Sequence, residues 1–210
     1  MEIRAAQSGD LLGVASIFHA AFPESIAHIY GHGRQPLPAL TASLFAVCLA
    51  SEPEGFWVAV VDGRVAGYIF APIHLSRVWK VAVARGDVFR WAWGWLCGQY
   101  GLGLRPIGLV LANKLSFFRH AVADQEKADA RILSVAVHPA AQGRGIARHL
   151  CTLAMARFDA AGVERSRLEV RPSNVPAVKI YTDLGFRQVG MMTDSQGDWA
   201  VMIRNRVGAS

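Results

Sequence analysis

One stretch constrains the fold more than any other: Ile132-Leu-Ser-Val-Ala-Val-His-Pro-Ala-Ala-Gln-Gly-Arg-Gly-Ile-Ala-Arg148. An apolar run rich in β-branched residues stops at Pro139, a short loop with Gly143 and Gly145 follows, and a helical pattern then begins. A run of that composition favours a sheet. A strand that feeds a helix in this way aims the first helical amides at one spot, with the positive end of the helix dipole behind them. Glycines at 143 and 145 remove side chains that would obstruct a bound anion. The stretch reads as strand, pyrophosphate cradle and helix.

The remaining chain supplies partners for that strand. Residues 2–6 read as a first strand, residues 8–21 as a helix, and Pro23-Glu-Ser as a second helix start with Ile26 and Ile29 inward. A third helix is expected near residues 39–50. Phe56–Val61 and Arg64–Ala71 are β-like runs, and Asp62-Gly63 between them is a favoured two-residue hairpin turn. After the central unit, residues 167–171 read as a strand. Ser173 or Asn174 then caps a helix that ends at Gly185, and residues 186–192 and 199–205 read as two closing antiparallel strands.

The segment 72–130 breaks this regularity. It holds Trp79, Trp91, Trp93, Trp95, Leu109-Val-Leu111 and Phe117-Phe118, with an uncharged run from Trp91 to Leu104 bracketed by Arg90 and Arg105. That run is too short and glycine-rich to span a bilayer. Two readings stand: a helical insertion packed over the core, or an interfacial element at residues 88–118 that touches a membrane peripherally.

At 210 residues, with 52% hydrophobic and 18% charged residues, the chain suits one folded domain with an insertion rather than a disordered segment. Its net charge of +6 steers anionic ligands or surfaces. The Lys and Arg residues are scattered, so no nucleic acid partner is expected. Cys48, Cys97 and Cys151 share no metal-ligand spacing, which points to a reducing, cytoplasmic setting. His28 and His32 lie one helical turn apart without a third ligand, and no metal is expected. Met-Glu-Ile-Arg-Ala-Ala6 has no basic segment leading into an apolar run, so no signal peptide is expected.

Among phosphate-binding patterns, a Walker loop needs a Gly-Lys-Ser/Thr run that is absent, and a dinucleotide fingerprint needs a small residue where Arg148 stands. Gln142-Gly-Arg-Gly-Ile-Ala147 instead fits the signature Gln/Arg-x-x-Gly-x-Gly/Ala. Downstream, Leu168-Glu-Val-Arg-Pro-Ser-Asn174, Ala177, Tyr181 and Leu184-Gly-Phe186 follow in order. Together these motifs resemble the GCN5-related N-acetyltransferases, and in the second half of the chain the match is especially close to the bacterial enzymes that acetylate protein N-terminal amines.

That resemblance implies a mixed α/β (α+β) acyltransferase fold. Its sheet is mostly antiparallel, flanked by helices and splayed at the middle. The hydrophobic insertion, which falls between the third and fourth strands, departs from the compact family pattern. The co-substrate implied is acetyl-CoA. The amides of Gly143, Arg144, Gly145, Ile146, Ala147 and Arg148, beside Gln142, would take its pyrophosphate. By resemblance, the main chain of Val135, Ala136 and Val137 would pair with its pantetheine arm, and Asn174 would contact the cofactor as well as cap a helix.

Acetyl transfer to an amine has two proton problems. An alkylammonium with a pKa of about 10.4 must lose a proton, and the departing thiolate gains by receiving one. Glu169 lies between Leu168 and Val170 and so faces away from both. In the family it resembles, its position and that of Tyr181 serve as general base and general acid. The plainer alternatives are a Glu169 paired with Arg167 or Arg171, and a buried Tyr181 with a satisfied hydroxyl. The expected function is N-acetylation of a primary amine by direct attack on the thioester, the acceptor being a protein N-terminus or a small-molecule or sugar amine. The alternative is a membrane-associated or partner-binding module with a vestigial acyl-CoA site. The expected location is cytoplasmic, with peripheral contact to the inner face of the membrane if residues 88–118 are interfacial.

Overall fold

The computed structural model describes residues 1–31, 37–100, 128 and 130–206. His32, Leu109-Val-Leu111 and Phe117-Phe118, named above, lie outside the described residues. Strand β1 (Glu2–Ala5) leads through a 3-10 turn into α1 (Leu11–Ala21), α2 (Pro23–Tyr30) and α3 (Pro38–Ser51). The hairpin β2 (Phe56–Val61) and β3 (Arg64–Phe70) turns at Asp62 and Gly63, whose φ angles of 50° and 74° suit the tight turn that their sequence predicts. Helices α4 (Leu75–Ala84) and α5 (Asp87–Leu96) form the described part of the insertion. Strands β4 (Ala130–Arg131) and β5 (Ser134–Val137), helix α6 (Ile146–Ala160), strand β6 (Arg165–Val170), helix α7 (Val175–Asp183) and strands β7 (Arg187–Asp194) and β8 (Gly197–Asn205) complete the order.

These strands form two sheets, β1-β2-β3-β5 and β4-β6-β8-β7. The pairings described are antiparallel except β4 with β6. The expectation of one continuous strand from Ile132 is corrected here, because the segment changes partner midway. The Ile132 amide donates to Arg167 O on β6 at 3.0 Å, whereas the Leu133 amide donates to Phe70 O on β3 at 3.0 Å. Beyond that handover β5 stays with β3 and parts from β6. The splay is thus a hydrogen-bond switch between two consecutive residues.

Strand alternation splits the core in two. Phe56, Val58, Tyr68, Phe70 and Ala136 pack with Val14 and Ile17 of α1 and Phe45 of α3. Ala59, Ile69, Val137, Leu168 and Met202 face the other way, onto Ile146, Leu150, Ala154 and Phe158 of α6 and Tyr181 of α7. The four α6 residues recur at a helical period, and the burial of each of the larger three, Ile146, Leu150 and Phe158, contributes roughly 2 kcal/mol.

The start of the insertion is tied down by Glu52, which is 2% exposed. Burial alone would raise its pKa. The amides of Ile73 and His74, at 2.7 and 3.0 Å, and the Arg157 guanidinium at 2.6 Å more than offset this and hold it below the usual range.

Candidate active site

Where β5 and β6 part, a cleft of about 1040 Å³ opens, lined by β5, the loop before α6, the end of β6 and the start of α7. The His138 amide donates to Ala66 O, so by the antiparallel alternation the main chain of Ala136 and Ser134 is turned toward β3. The same alternation turns the main-chain groups of Val135 and Val137 into the cleft, where Gln142 Nε2 reaches Val137 O at 3.4 Å. Of the three residues named for main-chain pairing, Val135 and Val137 therefore turn their main chain to the cleft, with Val137 O already accepting from Gln142, and Ala136 is occupied by β3.

Gly143 and Gly145 have φ angles of 78° and 75°, a region that side chains rarely adopt, and they coil the chain into the first turn of α6. The first helical main-chain bond is from the His149 amide to Gly145 O at 3.1 Å. The amides of residues 143–148 have no acceptor among the described residues, and they precede a 15-residue helix. A Cβ built at Gly143 meets nothing within 4 Å, so the space before these amides is open. An oriented row of free amides, a free strand edge and a long cleft fit a diphosphate carrying an extended arm.

Gln142, Gly143, Gly145, Ile146, Ala147 and Arg148 line the cleft, whereas the exposed Arg144 does not. Arg148 donates to Asp183 Oδ2 at 2.6 Å, joining α6 to α7 and lowering the Asp183 pKa. Asn174 caps α7, its Oδ1 accepting from the Ala177 amide at 3.2 Å, and it lines the cleft as well.

Tyr181 and Glu169 reach the cleft from opposite sides of the sheet. Tyr181 belongs to the core layer of α6 and α7, is 7% exposed, and packs its ring against Phe186. Burial, and then Cys151 beside it, push its pKa up, so the phenol keeps its proton. Its hydroxyl makes no hydrogen bond among the described residues, contrary to the plainer sequence reading. Cys151 also lines the cleft, and burial pushes its thiol up to about 12. Glu169 faces away from that layer, since Leu168 and Val170 on either side are buried in it. Its Oε1 accepts from Arg167 Nε at 2.7 Å and lies 3.5 Å from Arg131 Nη2. The expected pairing with Arg167 is therefore present, and the carboxylate lines the cleft as well.

The sequence reading missed several residues that line the same cleft as Glu169: Phe18 and Phe22 of α1 and its end, Glu24 and Ser25 of α2, and Trp199. Arg171, named as a possible partner of Glu169, lines it as well. Ser25 Oγ donates to Gln196 Oε1 at 2.7 Å and His28 Nε2 bonds Ser195 Oγ at 3.0 Å, fastening α2 to the β7–β8 turn. Arg171 donates to the carbonyls of Gln196 and Asp198 and lies 3.9 Å over the Trp199 ring. The buried indole Nε1 of Trp199 has no partner among the described residues. Arg171, two residues past Glu169 on the strand period, bonds the β7–β8 segment rather than Glu169. Phe22 and Trp199 carry no local signal.

A splayed α/β sheet with an amide cradle at its opening defines a coenzyme-binding transfer cleft. The model of the acetyltransferase (GNAT) family matches residues 13–186. Among curated relatives, the [ribosomal protein bS18]-alanine N-acetyltransferase of Haemophilus ducreyi is 30% identical over 54% of this chain and 77% of that protein. The mycothiol acetyltransferase of Nocardia farcinica is 27% identical over 86% of this chain and 68% of its own. A Salmonella typhimurium structure that holds acetyl-CoA superposes with a TM-score of 0.56 at 16% identity, covering 100% of this chain and 96% of that one, a likeness of fold. The chain belongs to the acetyltransferase (GNAT) family, and it is an acetyl-CoA-dependent acyltransferase that carries out N-acetylation. No finding supports the vestigial-site alternative.

Proposed function

We propose that the cleft holds acetyl-CoA along Val135, Val137 and the amides of residues 143–148, and that a primary amine enters from the Glu169 side. The observation that carries this reading is the placement of a carboxylate and a protonated phenol on opposite sides of one cleft. Acetyl-CoA brings the activated thioester. Glu169 takes the proton that the acceptor ammonium must lose, and Arg167 and Arg131 fix its carboxylate. Tyr181 delivers its proton to the departing sulfur, a role suited to a phenol that burial keeps protonated. Gln142 and Asn174 line the same cleft, and Arg148, which lines it too, adds positive charge.

The acceptor is a primary amine, either a protein N-terminus or a small-molecule or sugar amine. The relatives' names include an alanine of ribosomal protein bS18 and mycothiol. The test is thiol release from acetyl-CoA with the purified chain, comparing peptides with N-terminal alanine, amino sugars and polyamines. Release that depends on one of these classes supports the reading and identifies the acceptor. Calorimetry that finds no acetyl-CoA binding would overturn it.

A further inference from the structure

Helices α4 and α5 carry a surface that acetyl transfer leaves unexplained. Along α5, Phe89, Trp93 and Leu96 recur at i, i+4 and i+7 and are 70%, 67% and 70% exposed. On α4, Trp79 and Val83 stand one turn apart at 69% and 52%. The packing of both helices uses other residues. Val78 contacts the α1–α3 core layer, Ala82 is buried, and the Trp91 indole donates to Ser43 Oγ of α3 at 2.9 Å. Asp87 is buried and accepts from Arg85 at 3.1 Å and Arg90 at 2.6 Å. Five large apolar side chains therefore face solvent within residues 79–96 without contributing to the inner face. Single exposed apolar residues are ordinary, whereas a row of them on consecutive helices marks a contact surface.

Charge selects the occupant. Residues 75–100 hold the cations Arg77, Lys80, Arg85 and Arg90 against one acid, Asp87, which is itself enclosed between two of the arginines. Tryptophan and phenylalanine rings bordered by exposed arginine and lysine match the depth profile of a lipid interface, with rings at headgroup level and cations at the phosphates. A second copy of this chain would bring the same cations and another net +6 to the contact, which opposes self-association. Among the described residues no helix is long and apolar enough to cross a membrane, so the contact lies in the interface plane.

We propose that the exposed face of α4 and α5 docks peripherally on an anionic lipid bilayer. This inference stands apart from the acetyl-transfer assignment. It also moves the membrane element from residues 88–118, of which 101–118 lie outside the described residues, to the helix pair 75–96.

The test is co-sedimentation of the full chain with vesicles of phosphatidylcholine and phosphatidylglycerol in equal parts, and with phosphatidylcholine alone. Binding to the mixed vesicles is expected to be about tenfold or more the stronger and to weaken as salt is added. The pair Phe89→Ser and Trp93→Ser should reduce it about tenfold or more, and Arg77→Gln with Lys80→Gln should reduce it severalfold. Acetyl-CoA affinity, read by calorimetry on the same proteins, reports that they are folded and should not change. The proposal is overturned if the wild type ignores the mixed vesicles, or if the serine variants bind them as the wild type does. It is also overturned if the chain forms a lipid-free dimer that the serine variants dissolve, since the face would then be covered by a second copy.

Discussion

The two walls of the cleft are made of different material. The wall at the loop before α6 is main chain: six consecutive amides and the free edge of β5. The wall around Glu169 is side chain, drawn from Phe18, Phe22, Ser25, Glu169, Arg171 and Trp199, which belong to elements at both ends of the sequence. A main-chain site constrains its sequence mainly through the conformations it needs, so it leaves a compact trace of glycines between a strand and a helix. A side-chain site is assembled by tertiary contacts such as Ser25 with Gln196, and each contact can be remade with other residues. The nucleotide-bearing co-substrate is accordingly readable where the acceptor is not.

If the comparison is right, substitutions on the reacting groups between the walls should lower turnover without touching co-substrate affinity. The largest effect is expected for Tyr181→Phe, which should lower kcat about 10²–10³-fold while acetyl-CoA affinity by calorimetry stays within about twofold. An unaltered kcat would remove Tyr181 from proton donation and return it to the core layer. Next comes Glu169→Gln. It should cost about tenfold to a hundredfold at neutral pH and progressively less as pH rises toward the amine's own pKa, about 8 for a protein N-terminus and about 10.4 for an alkylamine, where free base is plentiful. A loss of equal size across the pH profile would instead make Glu169 a positioning group held by Arg167 and Arg131.

What the sequence made legible follows the same division. The hairpin at Asp62-Gly63, the helix after Gly145 and the cap at Asn174 depend on neighbouring residues and lie where local rules put them. The break at Ile132 and Leu133 was not legible, because an apolar β-branched run looks the same whether it pairs with one strand or hands over between two. Nor could periodicity show that Ala136 faces β3 while Val135 and Val137 do not, since that depends on the register with Gly67 and Tyr68. Arg144 is a different case. Its place inside the motif suggests a charge at the cradle, yet its exposed side chain is not among those that line the cleft. Trp79 and Trp93 point the same way, because a sequence rich in tryptophan cannot say which rings are covered.

The smallest expected effect is also the most discriminating between the walls. Valine at position 145 would have to hold a φ near 75°, which costs a residue with a Cβ about 1–2 kcal/mol. The nearest protein atoms to the added Cβ, on His149, lie at 3.6 Å, an ordinary contact, so the fold should survive the substitution. Relaxing that strain turns the first amides of α6 off their common target. Acetyl-CoA affinity should therefore fall about tenfold, roughly 1.4 kcal/mol, while the acceptor's KM at saturating acetyl-CoA changes by less than about twofold. Gly145→Ala tests the conformational cause alone, because it forces a Cβ into the same φ with the least bulk. A loss as large as valine's would assign the effect to conformation, and a smaller one would assign the remainder to valine's β-branching and bulk, through added strain or obstruction of the diphosphate. Wild-type affinity in both would mean that the amides of residues 143–148 are not the cradle, and the contrast between the two walls would go with them.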